Sequence, residues 1–542
     1  MPPQSIEQYR QAFESRTLTR EQFSALLNAA CKADDLRDEA EELRRQLEWF
    51  KRQLFGENSE RRLVEPDAAQ GTLGQAFDAI PSDPPGNKKI QVGAHERDRK
   101  PKTPPAEGED SKPFFDEAKV PVEVIEVPNP EAAKLAPDQY EVVGQKVSHR
   151  LAQRPGSYVV LKYVRPVIKR HDTLQLSCAP APLGVIEGSR ADVSFIAGMM
   201  VDKLVYHLPL YRQHQRLLAA GFKISRQWLT QLMQMGVSLL EPIYDALVLD
   251  VLGSRVLAMD ETPIKAGVAT VGKMKKAYFW PIYGEHDEIC FLYYPDRSVK
   301  NVQDALGLKP PEGAVLLTDG YIAYEHYAQK VGLTHAQCWA HSRRGIFEAR
   351  LIEPQLANEG LDMIGALYAI EAEICNQGLS GEAKRAERQS RAKPVVTTFF
   401  KWVDATFERH GLLPSNPMMK ALAYVRERKD GLQVYLDDPD VAIDTNHLER
   451  ALRRIPMGRR NWLFCWTELG AKHVGMMQSL LTTCKLHDID PHDYLVDVLQ
   501  RVGHHPASLV AELTPRRWKQ LFSDRPLRSP LHDLDSRFKN AA

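Results

Sequence analysis

Hydrophobic and polar positions change rhythm several times along the chain, and each change marks an element. From Leu26 the apolar or small positions fall at Leu26, Ala29, Ala33, Leu36, Ala40, Leu43, Leu47, Phe50 and Leu54, in alternating steps of three and four. This is a heptad seam of about four repeats, and it predicts an N-terminal helical coiled coil over 1–63. A single amphipathic helix packed on the body is the alternative. Charged positions between the seam residues leave little second face to bury, which favours self-association into a homo-oligomer. Residues 64–120 then turn Pro-rich and charged, as in PSDPPGNKK and HERDRKPKTPPAEGED. So polar a stretch buries too little apolar surface to offset the entropy of ordering, and it reads as a disordered linker.

Over 121–182 the runs VPVEVIEV, SYVVLKYVRPVIKRH and TLQLSC are rich in β-branched residues and predict a small β module. Residues 183–250 return to helical spacing. One apolar helix ends near Gly221, and Ser225 stands where an N-cap would start a second helix bearing Arg226, Gln227, Trp228 and Gln231. Two helices around a Gly-containing turn match a helix-turn-helix, with Arg226 and Gln227 placed to meet DNA. Ordinary helical domains share the pattern, so DNA reading stays open on this observation alone.

From residue 251 to 350 the rhythm is that of strands. RVLAMDET is an apolar run ending in a carboxylate. KAYFWPIYG and EICFLYYP form an aromatic-rich hairpin across the polar turn GEHDE, and GAVLLTDGY is a second apolar run ending in a carboxylate. RSVKNVQDALGL supplies a short crossover helix before that last strand, YIAYEHYAQKVG reads as a helix, THAQCWAH as a fifth strand, and SRRGIFEAR as the opening of another helix. A right-handed helical crossover returns its strand parallel to the first. If those two strands are neighbours, Asp260 and Asp319 stand side by side at the same strand ends. Two such carboxylates repel each other and call for a cation, and hard oxygen ligands suit Mg²⁺ or Mn²⁺ over zinc. The best candidate for a third acid lies in DTNHLERALRRIPMGRRNW, where Asn446, Glu449 and Arg453 share one helical face, the alternative being that a Glu in so charged a helix is a solvated side chain.

Composition narrows the class without naming the partner. A chain of 542 residues exceeds what one hydrophobic core supports, so the fold is expected to be multi-domain α/β. The 71 basic and 71 acidic side chains cancel, so any affinity for nucleic acid must come from local clusters such as Arg343 with Arg344, and Arg453 with Arg454, Arg459 and Arg460. No apolar run is long enough to span a bilayer, and the N-terminal MPPQSIEQYRQAF lacks a signal core. Seven scattered cysteines without a C-x-x-C pair predict no disulfide framework, so a cytoplasmic protein without membrane contact is expected.

MDETPI, LTDGY, CWAHSRR and DTNHLERALR-x-x-x-x-GRRNWLF occur in the order found in transposases of the insertion-sequence-sixty-six family, and KRQLFGENSE, HLPLYRQHQRL and MIGALYAIEAEI resemble that family too. The similarity runs from about residue 36 to about residue 505. It implies a ribonuclease-H-like catalytic core in two parts, 251–350 and 441–505, with a helical insertion at 351–440 and a C-terminal tail at 506–542. It maps the family's catalytic, metal-binding acids onto Asp260, Asp319 and Glu449. Family members often carry a zinc module of two C-x-x-C-like pairs before the helix-turn-helix. Here Cys178 alone stands in the matching stretch, so no zinc is expected there. His335, Cys338 and His341 have tempting spacing, but no fourth ligand is apparent.

The resemblance implies a DNA transposase that binds terminal inverted repeats and target DNA, cutting and joining strands with two Mg²⁺ (or Mn²⁺) ions. On that reading Asp260 bridges the ions, and Asp319 and Glu449 each complete one shell. Asn446 and Arg453 position phosphate, while Arg343, Arg344, Arg459 and Arg460 neutralise the DNA backbone. The resemblance also implies association with the nucleoid, and small accessory proteins encoded beside the gene as partners. The alternatives are a ribonuclease-H-like nuclease that cuts without joining, and a non-catalytic DNA-binding regulator.

Overall fold

The computed structural model describes residues 114–154, 156–270, 273–408 and 414–532. The coiled coil expected over 1–63, and the expected linker as far as residue 113, lie outside the described residues. The end of that linker stretch is packed, not free. Phe115 is buried and bridges Phe222, and the Asp116 N–H donates to Gly221 O at 3.0 Å.

The first sheet holds β1 (Val122–Glu126), β2 (Tyr140–Arg154), β3 (Ser157–Arg170) and β4 (Leu176–Cys178), in the order β1-β3-β2 with β4 also on β3. β2 escaped the sequence reading because most of it faces solvent. Val142, Val143 and Val147 are exposed, so no run of buried apolar positions announces it. Only at its end do Leu151 and Ala152 enter the core.

Four helices follow: α1 (Val193–Leu204), α2 (Leu210–Ala219), α3 (Arg226–Leu239) and α4 (Glu241–Leu252). Asp192 caps α1 through the Ser194 N–H, and Ser225 caps α3 by accepting the Trp228 N–H at 3.1 Å. Those side chains satisfy backbone donors that a helix start otherwise leaves open.

The second sheet positions the chemistry. It comprises β5 (Val256–Met259), β6 (Thr262–Thr270), β7 (Lys273–Tyr283), β8 (Ile289–Tyr294), β9 (Val315–Thr318) and β10 (Thr334–Gln337). Its order is β10-β9-β5-β7-β6, with β8 on β7. β5 and β6 pair in succession with the same partner, β7, and are divided only at Asp260 and Glu261. β6 was not expected from the sequence, because TPIKAGVAT lacks the aromatic pattern of its neighbours. The expected hairpin forms as β7 and β8. The crossover helix α5 (Val299–Leu306) leads to β9, which pairs parallel to β5 in the register Val256↔Val315, Leu257↔Leu316, Ala258↔Leu317.

Helix α6 (Ile322–Val331) connects β9 to β10, and α7 (Trp339–Ala349) follows. The fifth strand is therefore shorter than THAQCWAH. It ends at Gln337, and Trp339 already belongs to a helix, because its N–H donates to Ile443 O and its ring N–H to Leu432 O.

The stretch expected as an insertion is helical: α8 (Pro354–Asn376), α9 (Gly381–Glu387), α10 (Lys393–Phe407), α11 (Pro417–Glu427) and α12 (Lys429–Asp437). Arg388, fully buried, ties it together. It forms a bidentate pair with Glu371 at 2.8 and 2.7 Å and donates to the carbonyls of Tyr435, Asp438 and Val441. A guanidinium so supplied with acceptors offsets the cost of its burial.

Beyond it lie α13 (Asn446–Leu452), α14 (Arg454–Trp462), α15 (Glu468–Leu486), α16 (Pro491–Arg501) and α17 (Pro515–Leu521). α15 seals the edge of β8. Ser479 Oγ accepts the Phe291 N–H at 2.8 Å and Thr483 Oγ1 accepts the Ile289 N–H at 3.2 Å, so hydroxyls replace a neighbouring strand. Gly475 permits that approach, since a Cβ there would lie 2.5 Å from Phe291 O. The tail returns to the first sheet, where Leu531 packs with Ala152, Val159, Leu161 and Tyr163. Among the described residues no helix is long and apolar enough to cross a membrane.

Candidate functional site

Asp260 is the residue after β5, and Asp319 is the residue after β9. Because these strands are parallel neighbours in register, the two acids emerge together at the same edge. β9 is VLLT with all four residues buried, as expected for a strand covered on both faces. The polar chain appears only where the strand ends. Asp260 Oδ1 accepts the Glu261 N–H at 2.7 Å and Asp319 Oδ1 accepts the Tyr321 N–H at 2.9 Å, which sets both carboxylates.

Asp260, Glu261 and Asp319 each offer a carboxylate oxygen, and these lie within 4.8 Å of one another. Burial pushes Asp260 up to about 7, and the negative charges of Glu261 and Asp319 add to the effect. Burial also raises Glu261, against Tyr324 OH, which donates to Glu261 Oε2 at 2.7 Å, and an ion pair with Arg297. Three oxygen-donor acids, crowded and half-buried, form a donor set suited to a hard divalent cation.

The loop after β9 is tight for a steric reason. A Cβ on Gly320 would come within 2.4 Å of Arg428 Nε, and Arg428 donates to Gly320 O at 2.9 Å while lying over the Tyr424 ring. The Asp-Gly pair of LTDGY thus lets the helical insertion press against the Asp319 loop.

Glu449 reaches the same locality by another route. Cys338, the residue before α7, is buried, and its sulfur accepts the Thr445 N–H at 3.4 Å and the Thr445 hydroxyl at 3.3 Å. This joins the start of α7 to the start of α13. It sets His341 against Glu449, with Nε2 to Oε1 at 3.8 Å. His341 is pushed up to about 9, first by the adjacent Cys338 sulfur and further by the negative charges of Asp319 and Glu449, against burial. The His341 imidazole therefore faces Glu449 and also feels the negative charge of Asp319. Glu449 itself, 44% exposed, lies outside the three-carboxylate cluster.

The other residues singled out in the sequence are dispersed. Asn446 donates its amide to Asp444, which also accepts from Tyr368 OH at 2.7 Å. Arg343, Arg344, Arg453 and Arg460 are exposed, with Arg344 paired to Glu348, while Arg459 donates to Pro263 O. Arg226 and Gln227 are exposed at the start of α3, Arg226 over the Tyr211 ring. His335 bonds the Thr318 hydroxyl at 2.8 Å, apart from His341's partners.

The sequence reading missed Glu261 and His341. Strict alternation along a strand places neighbours on opposite faces, but the strand ends at Met259, so Asp260 and Glu261 escape that rule. For His341 a structural or DNA-facing role is favoured over a metal ligand from the sequence, without a partner for it. CWAH in fact begins a helix, and that helix turns the imidazole toward Glu449.

Comparison with known proteins agrees with this layout. Residues 188–473 match the Transposase IS66 family, residues 479–516 match the IS66 C-terminal element, and residues 42–114 match the Transposase C of IS166 homeodomain. Three relatives come from Sinorhizobium fredii (strain NBRC 101917 / NGR234). The uncharacterized protein y4hP is 30% identical over 403 residues, covering 70% of this chain and 71% of its own. The uncharacterized proteins y4jD and y4qI are 26% and 29% identical, covering 73% of this chain in each case, and 80% and 75% of their own. The family match spans more than half of the chain and includes both strand-end acids, Glu449 and the helices between them: this chain belongs to the IS66 family of transposases.

Proposed function

We propose that the chain is a DNA transposase that cuts and joins strands at the ends of an insertion element, using a ribonuclease-H-like core. The observation that carries this is the in-register parallel pairing of β5 and β9, each followed by an aspartate. The strand order supports the core assignment. β8-β7-β5-β9-β10 has three antiparallel strands followed by two that run parallel to the first, with β6 extending β5.

Asp260 and Asp319 would hold Mg²⁺ or Mn²⁺, with Glu449 as the third acid. Bound cations would supply activation of an attacking oxygen and neutralisation of charge at a phosphate. The protein contributes position. Glu261, held by Tyr324 and Arg297, buttresses Asp260, and His341 orients Glu449. An attacking water or 3′-hydroxyl displaces the 3′-oxygen of a phosphodiester, so no covalent protein–DNA ester is needed.

Arg343, Arg344, Arg453, Arg459 and Arg460 would neutralise the DNA backbone, and Arg226 with Gln227 would read base edges of the terminal repeats. Asn446 spends its amide on Asp444, which favours bracing the start of α13 over touching phosphate. Pairing of two DNA ends would use the N-terminal heptads and any accessory proteins. The test is incubation of purified protein with the DNA flanking its own gene and Mg²⁺. Cleavage at the repeat ends with joined products is expected. Cleavage without joining would reduce the protein to a nuclease, and binding without cleavage would leave only a regulator.

A further inference from the structure

The chain beyond Glu449 builds a surface that metal binding does not use. α14 ends at Trp462, and Leu463 adopts φ 62° and ψ −52°. There the Phe464 N–H donates to Trp462 O at 2.7 Å, a γ-turn of the rare positive-φ kind that costs an L residue strain. The chain then lies along β6. The Cys465 N–H donates to Lys265 O at 2.9 Å and the Gly267 N–H to Cys465 O at 3.1 Å, with Cys465 paired to Ala266. Next, Thr467 caps α15 by accepting the Gly470 N–H at 2.9 Å. Both neighbours of Trp466 are therefore anchored, yet its side chain is 58% exposed.

Alternation decides what shares that exposed face. Cys465 and Ala266 are buried, so Trp466 and Lys265 turn outward together. Lys265 pairs across with Lys276 of β7, whose ammonium lies 5.4 Å from the centre of the Tyr278 ring. Arg459 ties this corner to the acidic edge by donating to Pro263 O, just past Asp260 and Glu261. The nearby carboxylate, Glu468, is taken up by Lys275 at 2.9 Å, next to Lys276.

An anchored, exposed indole with cations on the same face selects two features at once. The cations attract phosphate, and the indole, which meets the Phe464 ring at 5.1 Å between centroids with the planes at 86°, stays exposed enough to accept a flat base. A duplex hides its base faces, so the complement is an unpaired nucleotide. A second copy docking through the same patch would set these cations against their own counterparts. We propose that Trp466, on the face it shares with Lys265 and Lys276, stacks an unpaired DNA base beside the strand end that the acids hold. This rests on the DNA strand-transfer reading and adds that the DNA end is opened there.

The experiment is binding of full-length protein, in EDTA, to a blunt duplex and to the same duplex with a short unpaired tail. Wild type should favour the tailed DNA by about tenfold, the scale of one base stacked on an aromatic ring. Trp466→Ala should lose the preference while binding blunt duplex as before, which also reports its folding. Trp466→Phe should keep most of it, and Lys265→Ala with Lys276→Ala should weaken both DNAs. A wild-type preference unchanged in Trp466→Ala overturns the inference alone. So does loss of self-association in that variant with the tail preference intact, which would assign the patch to a second copy. Failure of wild type to bind either DNA defeats the strand-transfer reading along with it.

Discussion

The two sheets of this protein are built from similar residues and behave differently. β2, fifteen residues long, exposes Val142, Val143 and Val147, whereas β9 has four residues and exposes none. The long strand lies at a sheet edge with one antiparallel partner and the short one between two parallel partners, but what sets their side chains apart is covering. The second sheet is packed by helices, with Trp280 against Tyr324 of α6 and Phe291 against α15. A carboxylate at the edge of such a sheet keeps its charge only at a cost, which is why Asp260 is pushed up to about 7. Burial makes the difference between a strand that only pairs and one that ends in a reactive group.

The largest expected effect tests that contrast at the strand ends. Asp260→Asn, Asp319→Asn and Glu449→Gln should each abolish Mg²⁺-dependent cleavage while leaving DNA binding and the far-ultraviolet spectrum nearly unchanged. Near-normal cleavage by any one would remove that residue from the site. His341→Ala should slow cleavage by about ten- to a hundredfold, the usual scale for a group that orients a ligand. His341→Gln should recover part of the loss if orientation matters more than charge.

Stability should follow covering in the same way. Leu316→Ala, in the buried middle of β9, should cost about 2–5 kcal/mol in denaturant unfolding. Val142→Thr on β2 should stay within about 0.5 kcal/mol. Equal costs would mean that the first sheet is covered in solution by something outside the described residues.

The smallest effect concerns pH. Asp260 has a folded value near 7 against an ordinary value of about 3.9, so its protonated form is favoured in the fold. Its contribution to stability is full below about pH 4 and is lost as pH rises to about 7 in metal-free protein. His335 and His473, lowered by burial to about 4, act in the opposite sense and lose stability as pH falls from about 6.5. Mg²⁺ should isolate the first group. The rise in melting temperature on adding it should be greater near pH 8 than near pH 5.5, and Asp260→Asn should flatten that difference. The same increment at both pH values would place the cation elsewhere.

How much of this was legible beforehand depended on how local its cause was. The runs VLAM and VLLT, each ending in aspartate, announce buried strands by composition alone. Ser225 announces the start of α3 because capping is a contact across three residues. The crossover helix between the hairpin and β9 made a parallel return plausible from the chain by itself. Strand β2 was hidden because its side chains meet water, and β6 because TPIKAGVAT lacks the aromatic pattern of β7 and takes its second neighbour, Cys465, from far along the chain. The family, the strand-end aspartates and many of the helices could therefore be read along the chain, since periodicity, caps and motifs act over a few residues. Only the tertiary structure decided that Glu261 joins the aspartates, that Cys338 and Thr445 bring His341 to Glu449, and that Trp466 stays open beside Lys265. Each depends on residues distant in sequence whose meeting is set by packing, and no local pattern encodes that.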